Sequence, residues 1–490
     1  MPISAEGRIR LSVLLRIFHS ARMDAENDAR EEMDEEKTES LCPVCFARIP
    51  AYRETEGECV FLCKRCPEHG ESRVLIWGGP PAFETWRRPK VPAAPPLIRR
   101  KVVRGCPFDC GLCPEHRQRS CTVIIEVTRN CNLRCPVCYA DSGNVRTRDP
   151  DLDVISSWYE SVAANGRNFN LQLSGGEPTT RDDLPEIVAL GRALGFPFIQ
   201  INTNGIRLGR DQDYLADLKK AGLSSVFLQF DATEDEVFLK IRGRPLLEDK
   251  QRAVEACGKH DIGVVLVPTI VPGMNDRNVG KILTQALKWS PVVRGVHFQP
   301  VSYFGRYPHR PMDEERMTLP DLMRAIEKQT EGRFRVSDFR PPGCENALCS
   351  FHGTYLVLSD GNVKSLQQPF DKTCCPGTES AEHGATQAIS YVARQWSAPP
   401  SSLQGRDTSG CCSPASTFCC STDLISLDEF VSRARTHTFS VSAMAFQDAW
   451  TLDLERVRDC CIHVFSPERG LVPFCLYNLT DANNRPLYRC

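Results

Sequence analysis

VTRNCNLRCPVCYADSG, residues 127–143, decides how the rest of this chain is read. Cys131, Cys135 and Cys138 stand with three and then two residues between them, and no further cysteine follows closely. Three thiolates at this spacing can hold three corners of a cubane [4Fe–4S] cluster. One iron then lacks a protein ligand and is open to a small molecule that can accept an electron from the cluster. A zinc knuckle or surplus core cysteines are the lesser reading of a lone triplet, and the surrounding sequence has to separate the two.

Residues 122–127 read as a strand leading directly into this loop. Short apolar runs follow at 169–173, 197–201, 225–230, 264–270 and 295–299, with helical segments such as 152–164, 184–194 and 215–221 between them. Strands alternating with helices predict an α/β fold with a parallel sheet, here a partial (β/α)6 barrel over 122–340. In such folds functional residues gather in the loops after the strand ends. The second strand ends in Ser174-Gly175-Gly176-Glu177-Pro178, where two glycines let backbone approach a ligand and leave carbonyls free to accept from an ammonium group. The third ends in Gln200-Ile201-Asn202-Thr203-Asn204-Gly205, and the fifth in Val267-Pro268-Thr269-Ile270-Val271-Pro272-Gly273. Gln229, Asp231, His297 and Gln299 lie near other strand ends, either lining a substrate cavity or serving as satisfied structural groups.

From the cysteine loop to about residue 305, these motifs resemble the radical S-adenosylmethionine (SAM) superfamily. The resemblance implies that Cys131, Cys135 and Cys138 hold the catalytic cluster. SAM would chelate its open iron and be cleaved to methionine and a 5′-deoxyadenosyl radical that removes hydrogen from an unactivated C–H bond. It further implies that Gly175, Gly176, Glu177 and Pro178 receive the SAM amino group. Asn204, with Asn202 in reserve, would face the ribose or carboxylate, and the segment around Ile270 would pack on adenine. One position departs from the superfamily pattern. The residue before the third cysteine is Val137 rather than an aromatic, and Tyr139 follows one place late.

Upstream, Cys42-Pro-Val-Cys45 and Cys63-Lys-Arg-Cys66 form two CxxC knuckles in a unit at 41–78. Four thiolates from two tight turns predict a closed, structural zinc or iron site, as in zinc ribbons and rubredoxins, with Cys59 spare. A proline-rich linker follows, and then Cys106, Cys110 and Cys113 repeat the three-then-two spacing. This suits an auxiliary [4Fe–4S] cluster, completed by Cys121 or, less simply, by His116.

GCPFDCGLC (105–113), EVTRNCNLRCPVCYA (126–140), the CxxC pair and the closing CCIHV…PFCLYN (460–478) resemble the family of class D radical SAM methylases and tetraether lipid synthase. That resemblance implies a further auxiliary cluster on Cys344, Cys349, Cys461 and Cys475, with Cys460 as the alternative to Cys461. It implies methylation of a substrate or C–C coupling of lipid chains, with an electron donor such as a flavodoxin or ferredoxin. Residues 341–490 then form a C-terminal α+β region carrying a flexible insertion at 376–420. The paired cysteines Cys374–Cys375, Cys411–Cys412 and Cys419–Cys420 lie in or beside that insertion, outside the resemblance.

The chain has 490 residues, enough for several domains, and 60 basic side chains balance 62 acidic ones. That balance provides no general field for nucleic acid. Its 25 cysteines, in metal-binding spacings and with no credible signal peptide ahead of them, predict a reducing cytoplasm rather than a disulfide scaffold. No stretch reads as a transmembrane segment. Residues 1–40 hold a short amphipathic stretch and then a dense acidic run, read together as a tail. Arg99, Arg100, Lys101 and Arg104 form only a small basic patch. The rival to an enzyme is a non-catalytic Fe–S or zinc protein, which explains the cysteines but not the glycine and asparagine strand ends.

Overall fold

The computed structural model describes residues 36–88, 90–95, 97–98, 101–144, 146–307, 311–312, 315–367, 380–399 and 427–489. Residues 1–35, Arg99, Arg100 and the paired cysteines at 374–375, 411–412 and 419–420 lie outside them.

The N-terminal sheet is an antiparallel meander of β1 (Glu36–Leu41), β2 (Arg48–Glu56), β3 (Cys59–Cys66) and β4 (Gly70–Gly78). β1 corrects the reading of residues 1–40 as tail throughout. Its acids are answered by cations: Glu36 meets Arg53, its partner on the neighbouring strand, at 2.7 Å, and Glu39 meets Arg458, far along the chain, at 2.7 Å. Acid density signals solvation only where no cation faces it, and these cations lie on other elements.

The barrel strands are β5 (Thr122–Thr128), β6 (Asn170–Gly175), β7 (Ile199–Thr203), β8 (Ser225–Gln229), β9 (Gly263–Val267) and, after the two-residue β10 (Thr269–Ile270), β11 (Val293–Pro300). Successive pairings from β5 through β9 to β11 are all parallel. Gly263-Val-Val-Leu-Val267 is buried at every position, as expected of a strand covered on both faces. Helices return the chain on the outside, among them Leu152–Ala163, Leu184–Ala193 and Gln212–Lys220. Asp151 caps the first of these, its side chain accepting from the Val154 N–H.

The C-terminal region is not a separate unit beside this barrel. After β12 (Ser350–Val357) and β13 (Val363–Ser365), β14 (Thr438–Met444) pairs parallel to β11. Then β15 (Ile462–Ser466), before β16 (Gly470–Pro473), pairs parallel to β5 at the opposite edge. The expected six-strand parallel run is therefore extended by one strand on each side, with β12 and β16 antiparallel beyond them. Edge strands with two apolar faces leave ladder groups and hydrophobic surface to cover, and the C-terminal strands cover both.

The insertion expected at 376–420 also requires correction. Ala381–Trp396 is a helix, capped by Ser380, whose side chain accepts from the His383 N–H. It packs against β6, β9, β11 and β14, with Arg294 near the start of β11 donating to the Gln395 carbonyl, and one face of it lines the barrel cavity. Gly384 makes the close approach possible, because a Cβ there would stand 1.9 Å from the Gly343 carbonyl oxygen. At the far end Trp396 lies against Phe227, with ring centroids 5.4 Å apart. The serine- and proline-rich composition that suggested a loop belongs to the residues after this helix.

Candidate active site

A cavity of about 810 Å³ occupies the barrel lumen. Cys131, Cys135 and Cys138 line it from the loop after β5, and Gly175 and Gly176 line it from the end of β6. These glycines are required by the cluster loop as well as by any ligand. Gly175 has φ 133°, and a Cβ there would lie 1.9 Å from the Thr128 carbonyl oxygen; at Gly176 it would lie 2.3 Å from that of Asn130. Any side chain would push the two strand ends apart. Burial pushes the Cys131 thiol up to about 12, so a bound metal must displace its proton.

Glu177 is buried and turned into the framework. Its carboxylate accepts from the Thr179 N–H (3.1 Å) and hydroxyl (2.7 Å), the Thr203 hydroxyl (2.7 Å) and the Asn204 N–H (2.6 Å). Pro178 begins the short 3-10 turn behind it. Asn204 is also committed: its amide donates to Asn132 Oδ1 at 2.7 Å, and its side-chain oxygen accepts from the Ile206 N–H at 3.1 Å. Asn202 differs. Its Nδ2 reaches Gln172 Oε1 at 3.4 Å, while its Oδ1 is buried, lines the same lumen and has no hydrogen-bond partner. The side chain placed in reserve thus has the free polar atom. Ile270 is fully buried in the main core and does not line the cavity, whereas Thr269 does, because neighbouring strand residues face opposite ways.

Asp231 likewise faces inward to the framework. It pairs with Arg242 (Oδ2 to Nε 2.6 Å, Oδ1 to Nη2 3.0 Å), and Arg242 also donates to the Val137 carbonyl at 3.2 Å. Burial opposes the guanidinium charge, but Asp231 outweighs it and holds Arg242 charged behind the cluster loop. Gln229 accepts from the fully buried Lys250 at 2.8 Å, and burial lowers that ammonium to about 7. His297 and Gln299 do line the lumen, and His297 Nδ1 meets the Ser442 hydroxyl at 2.9 Å. Tyr139 is half-buried, its hydroxyl 3.0 Å from that of Ser174 and its ring against Phe474. Arg242, Lys250 and the lumen helix carry no local motif, which is why a linear reading passes over them.

The outlying cysteines are regrouped by the fold. In the N-terminal sheet Cys42, Cys45 and Cys66 come together with His69, whose Nδ1 lies 3.7 Å from Cys42 Sγ and 3.4 Å from Cys66 Sγ. Cys63 instead donates to Glu54 at 3.2 Å. Cys63 and Cys66 are three apart on one strand and so emerge on opposite faces; the CPEH run at 66–69 was the overlooked signal. Cys121 is not with Cys106, Cys110 and Cys113. The pairing of β15 with β5 takes its N–H to the Cys461 carbonyl at 2.7 Å, and its thiol joins Cys344 and Cys461, all within 4.8 Å. Cys349 and Cys475 line a small cavity with both Cys460 and Cys461. His116, buried, donates to or accepts from His463 at 3.2 Å rather than facing a solvent loop.

The radical SAM superfamily profile matches residues 125–286, and the HMPTM N-terminal zinc ribbon domain matches residues 35–78. With the cluster loop over an open parallel barrel, these define a radical SAM enzyme that uses a [4Fe–4S] cluster and SAM. The chain is 33% identical over 476 residues to the 7,8-dihydro-6-hydroxymethylpterin dimethyltransferase of Methanocaldococcus jannaschii, covering 91% of this chain and 93% of that one. It belongs to that family. A GTP 3',8-cyclase of Paenarthrobacter nicotinovorans is 29% identical over 199 residues, covering 39% of this chain and 54% of the other. A crystal structure of methylornithine synthase superposes with a TM-score of 0.35 at 15% identity, covering 44% of this chain and 63% of that one.

The residues present fit the cofactor pair. Three lumen-facing thiols suit the cluster, and the unpartnered Asn202 oxygen beside them suits a hydroxyl or ammonium donor of SAM. No described helix is long and apolar enough to cross a membrane.

Proposed function

We propose that this enzyme methylates, or forms a C–C bond at, an unactivated position of a compact heteroaromatic substrate of the reduced-pterin class. The observation that carries this reading is the single lumen shared by the three cluster thiols, the free Asn202 oxygen and the polar and aromatic wall of Gln299, Gln387, Tyr391 and Trp396. These side chains offer hydrogen bonds to the edge and stacking faces to the plane of a flat ring. The name of the pterin dimethyltransferase relative points the same way.

When bound, the cluster and SAM supply one-electron reductive cleavage and hydrogen abstraction. The chain's residues do the rest. Cys131, Cys135 and Cys138 hold the cluster at the lumen mouth. Gly175 and Gly176 bring backbone against that loop, Asn202 orients SAM with Asn204 behind it, and the Asp231–Arg242 pair braces the Val137 carbonyl. The helix Ala381–Trp396 walls one side of the cavity and keeps water from the reacting carbon. Cys106, Cys110 and Cys113 hold an auxiliary cluster, and Cys349, Cys475 and Cys461, with Cys460 lining the same cavity, hold another. Cys42, Cys45, Cys66 and His69 hold a structural zinc. The reductant is a small flavodoxin or ferredoxin, and the compartment is the cytoplasm.

Anaerobic assay with SAM, reductant, a reduced folate-like one-carbon donor and a reduced 6-hydroxymethylpterin tests this. Methylated pterin and 5′-deoxyadenosine are expected, and Cys135→Ala should lose both while keeping its auxiliary iron. Deoxyadenosine formed only with lipid alkyl chains would replace the reading by lipid coupling. No SAM cleavage with any substrate would leave an electron-transfer protein.

A further inference from the structure

We propose that Arg134, Arg146, Arg148 and Arg244 form the docking face for the electron donor, a small protein with an acidic surface around its own redox centre. The inference rests on the reading of the reductant as a flavodoxin or ferredoxin, and it gives that partner a place. All four side chains are exposed, and none pairs with a carboxylate among the described residues.

The fold gathers them around one loop. Arg134 stands between Cys131 and Cys135. Thr147, between Arg146 and Arg148, is tied to Asn130, the residue before Cys131. Its N–H donates to Asn130 Oδ1 at 3.0 Å, and its carbonyl accepts from Asn130 Nδ2 at 2.9 Å. Gly143 presses on the same loop, where a Cβ would lie 2.2 Å from the Leu133 carbonyl oxygen. Arg244 arrives from a remote part of the chain. It follows Gly243, whose Cβ would stand 3.9 Å from both the Arg134 carbonyl oxygen and Pro136 Cδ.

The face is positive on a chain whose formal net charge is −2. Residues 127–149 carry Arg129, Arg134, Arg146 and Arg148 against Asp141 and Asp149 alone. Arg306 answers Asp141 at 3.2 Å. Asp149 is half-buried and accepts from the Thr128 hydroxyl at 2.6 Å and the Asn130 amide at 3.0 Å. Asp151 and Asp153 come next, at the start of the helix Leu152–Ala163. Unpaired cations concentrated on one face steer a partner of opposite sign. Guanidinium groups suit that task, because each meets a carboxylate with two parallel donors. Encounters between redox proteins bury little surface, so charge rather than apolar area guides them.

The loop itself says what the partner delivers. Cys131 and Cys138 are only half-buried, so the cluster thiols reach the surface here while also lining the lumen. Each SAM cleavage needs one electron from outside. A donor on this face hands it over without entering the substrate cavity: the donor is oxidised by one electron, the cluster goes from [4Fe–4S]2+ to [4Fe–4S]+, and no bond forms or breaks.

The test uses the full chain with its clusters reconstituted and no methyl acceptor, and follows the reduced-cluster EPR signal. Reduced flavodoxin and photoreduced 5-deazariboflavin, a small neutral reductant, are compared. In Arg146→Glu/Arg148→Glu/Arg244→Glu, reduction by flavodoxin should slow about tenfold at low salt and lose the salt dependence seen in wild type. Reduction by the neutral reductant should be unchanged, which also shows that the variant is folded and loaded. Arg146→Lys/Arg148→Lys/Arg244→Lys should keep the salt dependence. An equal fall with both reductants, or with neither, overturns the proposal. A wild type reduced by deazariboflavin and never by flavodoxin overturns the reductant reading as well. The substrate reading stands in either case.

Discussion

At the scale of single residues, the site separates groups that face a ligand from groups that hold the frame. Gly175 belongs to both. Gly175→Ala would drive a methyl group into the Thr128 carbonyl at a backbone conformation that L residues rarely adopt. Loss of SAM-dependent cluster chemistry is expected with iron still bound elsewhere; wild-type turnover in that variant would contradict the geometry. Asn202 and Asn204 differ in the same way. Asn202→Ala should raise the KM for SAM about tenfold, about 1.4 kcal/mol, with little change in thermal stability. Asn204→Ala breaks the contacts to Asn132 and Ile206 and should instead lower stability by about 1–3 kcal/mol. SAM kinetics and melting curves on the two variants read this split, and identical behaviour would refute it.

At the scale of elements, strand alternation overrides motif spacing. Two CxxC pairs are the expected form of a ribbon site, yet β3 turns Cys63 and Cys66 to opposite faces and the following turn brings in His69. His69→Ala should therefore cost the ribbon its zinc, while Cys63→Ala should retain it, as measured by bound zinc per chain. The reverse result would restore the four-cysteine reading. The same rule places Thr269 in the lumen and Ile270 in the core. The helix Ala381–Trp396 illustrates the other direction: it packs against barrel strands and lines the cavity with one face, and its flanks gave no sign of that.

At the scale of the whole molecule, burial makes stability depend on pH. Burial lowers His297 to about 4, against an ordinary value near 6.5, and does the same to His116. The folded chain therefore keeps them neutral where the unfolded chain already takes up protons. Stability is full above about pH 6.5 and falls as pH drops towards about 4, by on the order of 3 kcal/mol for His297 alone. Urea midpoints at about pH 7 and about pH 5 should show the fall, and His297→Gln should reduce it. A slope unchanged by that substitution would place the proton uptake elsewhere. The N-terminal sheet is held to the barrel by similar buried polar contacts: Arg53 pairs with Asp453 at 2.7 Å, and Lys64 donates to the Ala449 carbonyl at 2.8 Å.

The sequence alone determined the chemistry and the barrel. The spacing of Cys131, Cys135 and Cys138, the paired glycines at 175–176 and the period of the six strands are local properties, legible because each depends on residues close in the chain. Which cysteines come together was decided only in three dimensions. Cys121 meets Cys344 and Cys461 because β15 adds to β5, and His69 replaces Cys63 because a strand alternates its faces. The closing of the sheet by β14 and β15, and the helix along its cavity, also depend on long-range pairing. There the burial of edges and apolar faces, rather than any local pattern, selects the partner.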